Sequence, residues 1–102
     1  MIFVKLKEIT HFKAQEKYVI ICCDNGSEYL IEQSLVSLET ELPSAFRRIH
    51  FSIIINTEHI RIVESYFNSR YRFTLNDRLQ QVLTSGRSYQ QTIKEWIDAG
   101  FL

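Results

Sequence analysis

The six residues Tyr18–Cys23, YVIICC, form an unbroken run of β-branched, aromatic and small apolar side chains that stops at Asp24-Asn25-Gly26. A run of this length and composition reads as a central strand. Asparagine and glycine tolerate the positive φ angles of a type I′ turn, so Asp24-Asn25-Gly26 predicts a tight hairpin into a third strand over Glu28–Ile31. Upstream, residues 3–12 place Val4 and Leu6 on one side and Lys5 and Lys7 on the other, the alternation of a first strand with one wet face. The first third of the chain is therefore expected to be all β.

Ser34 is suited to cap a short helix whose Leu35, Leu38 and Leu42 share one face, and Pro43 stops it. This helix is expected to lie as a lid over the sheet. Beyond it, residues 53–55 read as strand, Thr57–His59 as a turn, Ile60–Tyr66 as strand and residues 71–75 as an alternating strand. Asn76-Asp77 marks a turn before a last strand over residues 79–84. Ser88 with Gln91 three residues on matches a capping box, and Tyr89, Ile93, Trp96 and Ile97 recur at helical spacing up to Gly100. A terminal amphipathic helix follows, its apolar stripe turned to the core.

A chain of 102 residues buries one modest core, so residues 1–102 are read as a single domain. No apolar run approaches the roughly 20 residues that span a bilayer. The first ten residues, MIFVKLKEIT, alternate lysine with apolar side chains instead of building a signal-peptide core, which points to the cytoplasm and no membrane partner. The 12 basic and 12 acidic side chains cancel, against the usual positive balance of nucleic-acid readers. Their distribution is uneven, however: residues 1–46 hold four basic and seven acidic side chains, residues 47–94 eight basic and three acidic.

Cys22 and Cys23 are adjacent, so on a strand they point to opposite faces and read as small buried hydrophobes of a reducing compartment. Neither they nor His11 and His59 stand at metal-ligand spacing, and no cofactor is expected. Nucleophile elbows, phosphate loops and dinucleotide fingerprints are missing from the sequence, so an enzyme is the least supported class.

Residues 46–56, FRRIHFSIIIN, crowd polar donors where a strand begins. Arg48, His50, Ser52 and Asn56 stand at the spacing of Arg, any, His, any, Ser, three mostly apolar residues, then Asn. In this the chain resembles the LytTR family of bacterial DNA-binding domains. The resemblance runs through Tyr18-Val19, the glycine hairpin, Ser34-Leu35, the Leu-Pro before Phe46, Ile60, and Arg87 followed by Tyr89. It implies an elongated, mostly β domain of antiparallel sheets, with a short helix after the first hairpin and a C-terminal helix. It further implies loops, instead of a recognition helix, laid into two successive major grooves of double-stranded DNA.

Family contacts imply three reading places, which here hold Lys17, the Arg-His-Ser segment and Arg87. Arginine forks onto guanine edges or phosphates, and histidine and serine make shorter contacts. Arg87 is the first candidate for base reading; from the residues alone it is equally a solvated arginine. Arg47 and Arg48 read either as phosphate clamps or as caps on the last carbonyls of the preceding helix, and for Arg48 the two are compatible. His50 reads first as a half-buried structural group and second as a base contact. Ser52 and Asn56 read as turn-fixing residues, Asn56 as the structural member of the motif. The sequence departs from the family pattern at Phe51, where many relatives carry a polar or basic residue, and at Gly86, where serine is common. Phe51 either touches a thymine methyl or packs inside.

The expected function is sequence-specific DNA binding as the output domain of a bacterial transcriptional regulator of a two-component system. Repeated half-sites, pairing of two copies on DNA and an N-terminal receiver domain in a longer chain are implied by the resemblance. The alternative is a protein-interaction module on the same scaffold.

Overall fold

A computed structural model describes residues 3–102, which form two antiparallel sheets and two α-helices. Five strands, β1 (Ile9–Gln15), β2 (Tyr18–Cys23), β3 (Glu28–Ile31), β4 (Phe46–His50) and β5 (Ile53–Asn56), make one sheet in the order β3-β2-β1-β5-β4. The others, β6 (Ile60–Tyr66), β7 (Arg70–Leu75) and β8 (Val82–Thr84), make a second sheet in chain order. Helix α1 (Leu35–Glu41) links β3 to β4, and α2 (Gln90–Asp98) follows β8. The molecule measures 40 × 26 × 22 Å, elongated as expected.

The larger sheet is covered on both faces, which explains its continuous apolar runs. Consecutive strand residues point to opposite sides. Ile54 therefore joins Phe12, Val19, Leu35 and Leu38 in a core under α1, whereas Ile55 joins Ile49, Phe73, Leu75 and Ile93 in a second core between the two sheets and α2. Ser34 caps α1 by accepting from the Ser37 N–H at 3.1 Å. At the other end of the chain, Gly100 adopts φ +81°, its N–H donates to Ile97 and that of Phe101 to Trp96, closing α2 with a Schellman turn.

Five local expectations are corrected. Strand β1 begins at Ile9 because β2 ends opposite it at Cys23; upstream, Leu6–Glu8 turns as a 3-10 helix. Gly26 alone of the Asp24-Asn25-Gly26 turn has positive φ (+92°), and its N–H bonds to Cys23, which makes a type I turn with a left-handed glycine instead of type I′. Residues 46–56 form a hairpin of two strands turning at Phe51-Ser52, not one strand entered from a loop. Asp77 bonds both the backbone N–H and side-chain amide of Gln81 at 2.9 Å, and Gln80 takes φ +50°, so β8 starts only at Val82. The capping box at Ser88 does not form, because Arg87–Tyr89 tightens into a 3-10 turn and moves the start of α2 to Gln90.

Candidate nucleic-acid interface

Three turns of distant sequence meet at one end of the larger sheet. The Ala14 N–H donates to the Ser52 carbonyl at 2.8 Å, so the Glu16-Lys17 turn between β1 and β2 lies beside the Phe51-Ser52 turn between β4 and β5. Lys17, Tyr18, Arg48 and Phe51 line a shared recess of about 310 Å³, closed on one side by the first residues of α1. The Gly86 N–H donates to the Ile49 carbonyl at 2.9 Å, which sets Arg87 next to the same turn. Buried Ser85 anchors the start of that loop, its hydroxyl accepting from the Tyr71 N–H and its own N–H donating to the Tyr71 carbonyl, both at 2.9 Å.

Within the Phe51 turn the polar groups are spent on one another. Arg48 donates from Nε to the His50 carbonyl at 3.0 Å, from Nη2 to the Phe51 carbonyl, and from Nη1 to the Glu39 carboxylate of α1. The Ser52 N–H donates to His50 Nδ1 at 3.0 Å, and Ser52 Oγ lies 3.0 Å from the same nitrogen. A backbone N–H can only donate, so Nδ1 is the acceptor and the ring proton of His50 resides on Nε2. Phe51 itself is 78 % exposed, which excludes inward packing.

The structure thus gathers Lys17, Arg48, His50, Phe51, Ser52 and Arg87, with different duties. Lys17 and Arg87 are exposed and, among the described residues, hold no ion pair. Arg48 does not cap the last carbonyls of α1; its guanidinium reaches forward to the turn, and its tie to the helix is Glu39. Arg47 points to the other face of β4, where its guanidinium carbon lies 5.0 Å from the Trp96 ring and 4.5 Å from that of Phe101. Stacked there with Nε buried, it is engaged by the C-terminal helix and is not brought to the Lys17, Phe51 and Arg87 group. Asn56 is buried, with Nδ2 donating to Ile9 at 2.9 Å and Oδ1 accepting from the Glu58 N–H at 3.1 Å.

Ser69 and Gln90 line a shallow depression with Arg87 and Ser88, and neither stands out in the sequence. Asn68 and Ser69 both take left-handed backbone, φ +60° and +59°, in the turn joining β6 to β7. An Asn-Ser pair between two strands is a weak turn signal, and nothing local tells that this turn closes beside Arg87.

Cys22 and Cys23 are buried, unpaired and divided between the two faces of β2. Burial pushes the Cys22 thiol up to about 12, leaving it unreactive at neutral pH.

Residues 1–98 match the family described as the LytTr DNA-binding domain. The chain belongs to the LytTR family. It is 29% identical over 96 residues to the sensory transduction protein LytT of Bacillus subtilis, covering 93% of this chain and 39% of that protein. It is 31% identical over 100 residues to the transcriptional regulatory protein LytR of Staphylococcus aureus, covering 89% of this chain and 40% of that one. The chain therefore spans about two fifths of these LytTR regulators. The fold is that of a LytTr DNA-binding domain from Bacillus cereus, with TM-score 0.86 at 21% identity over 94% of this chain and 86% of the other. No helix among the described residues is long and apolar enough to cross a membrane.

Proposed function

We propose that residues 1–102 are a single LytTR domain that binds double-stranded DNA sequence-specifically, as the cytoplasmic output domain of a bacterial two-component transcriptional regulator. The observation that carries this reading is the convergence of three turns bearing Lys17, Phe51 and Arg87 in a chain of this family. Lys17 neutralises phosphate, which holds the domain in register; Arg87 reads a base edge in the major groove; the braced Phe51 turn faces a neighbouring base. Two turns at the end of one long sheet and a third carried by the second sheet suit an elongated contact across successive grooves. The regulators it resembles are more than twice its length, which leaves room in each for a receiver domain, and repeated half-sites would seat two copies.

Selection from random duplexes with the purified chain, followed by titration across salt concentrations, tests this. An enriched motif whose log affinity falls with log salt by about 0.9 per phosphate contact supports it. Arg87→Ala should then lower affinity for the enriched site about tenfold or more while lowering that for random duplex far less. A folded chain that enriches no duplex would instead favour a protein-interaction module on the LytTR scaffold.

A further inference from the structure

We propose that Phe51 reads the C5-methyl group of a thymine, giving this domain an apolar base contact at the centre of its DNA surface; this rests on the DNA-binding reading above. The tip of the β4–β5 turn has few polar groups left to offer a base. The carbonyls of His50 and Phe51 are taken by Arg48, the Ser52 N–H by His50, the Ser52 carbonyl by the Ala14 N–H, and the Ser52 hydroxyl sits against His50 Nδ1. What projects is the ring of Phe51, at 78 % exposure.

An exposed ring on a slack loop would fold back onto apolar surface, but this turn is held. Arg48 grips two successive carbonyls and is itself anchored to α1 through Glu39. The backbone that carries the ring is thus held in place, and the ring's apolar surface is left open to an apolar group of a partner. Lys17 shares its recess, which Glu16 and Glu32 also line, and Arg87 follows the glycine that abuts His50. The two exposed cations, in no ion pair among the described residues, flank the apolar spot where phosphates on either side of a base edge would meet them. In the major groove of duplex DNA that combination has one source: the thymine methyl is the apolar feature on the base edges, set between phosphate backbones.

Replacing each thymine of the selected site in turn by deoxyuridine deletes that methyl while keeping base pairing. For the wild-type chain, one replacement should weaken binding about three- to fivefold, the effect of one buried methyl group. Phe51→Ala, whose fold should be intact because the ring is exposed, should bind the thymine site more weakly and be indifferent to deoxyuridine at that position. Full deoxyuridine sensitivity in Phe51→Ala would overturn the assignment to Phe51. A wild-type chain that selects its site yet ignores every thymine replacement would overturn the proposal and leave DNA binding standing. Absence of any selected site from the folded chain would remove both.

Discussion

The backbone N–H of Gly86 donates to the carbonyl of Ile49 across 2.9 Å, joining the loop that carries Arg87 to the strand that ends in the Phe51 turn. Gly86 has ordinary extended backbone, φ −78° and ψ 151°, and a Cβ there would meet Tyr89 Cδ2 at 3.4 Å and His50 Cδ2 at 3.5 Å. These are normal contact distances, so the bond depends on the backbone and not on the missing side chain. Gly86→Ala should raise stability by about 0.4–1 kcal/mol by restricting the unfolded chain, with DNA affinity changed less than about twofold. Urea denaturation and a duplex-binding titration check this, and a destabilised variant would mean that the loop needs glycine at this position.

Asn56 ends β5 by serving two segments at once, the carbonyl of Ile9 and the N–H of Glu58. Asn56→Ala removes both bonds in a buried setting and should destabilise by about 2–3 kcal/mol. Asn56→Asp keeps the acceptor for Glu58 but turns a carboxylate oxygen toward the Ile9 carbonyl, so at neutral pH it should be worse than alanine. A lower urea midpoint with unchanged slope is the expected signature; equal stability of the aspartate variant and wild type would refute it.

The pieces of this fold that local sequence carries are legible: β6 at Ile60–Tyr66, the capped start of α1 and the glycine stop of α2 each rest on neighbours in the chain. Two of the misread pieces depend on partners far away. Strand β1 could not be bounded without knowing that Cys23 ends its partner, nor the hairpin at Phe51 without knowing that β5 pairs with both β1 and β4. The interface divides in the same way. Residue types marked Lys17, the Arg-His-Ser segment and Arg87 as donors at turns. That Arg47 and Arg48 part to opposite faces of β4, one to Trp96 and the other to the Phe51 turn, requires the tertiary positions of α2 and α1.

Arg47 packs its guanidinium over Trp96 and Phe101 and tethers the end of the chain to β4. Arg47→Ala should cost about 1–2 kcal/mol through lost cation–π attraction and lost stem packing. Because Trp96 is the one tryptophan, its fluorescence should report the change directly. Affinity for duplex DNA, measured at a temperature where the variant is folded, should fall less than twofold. A large affinity loss with unaltered stability and fluorescence would instead make Arg47 a phosphate contact.

His11 is buried in the central strand β1 with its Nδ1 2.8 Å from Thr10 Oγ1, and the Thr10 hydroxyl gives its proton to the Cys22 carbonyl at 3.1 Å. Thr10 Oγ1 must therefore accept from His11, which places a ring proton on Nδ1. Burial, assisted by the nearby Lys13 charge and opposed by Asp77 and Glu28, lowers the His11 pKa from 6.5 to about 4. Between those two values the unfolded chain binds a proton that the folded chain refuses, so stability is present in full above about pH 6.5 and falls as the pH drops toward 4. The loss reaches about 3 kcal/mol at the acid limit. Carboxylates titrate in the same region, so the informative quantity is the stability difference between wild type and His11→Gln, measured by urea denaturation at pH 7 and pH 4.5. That difference should shrink in acid, because glutamine takes up no proton in either state. If it is the same at both pH values, His11 is not the group whose protonation opposes folding.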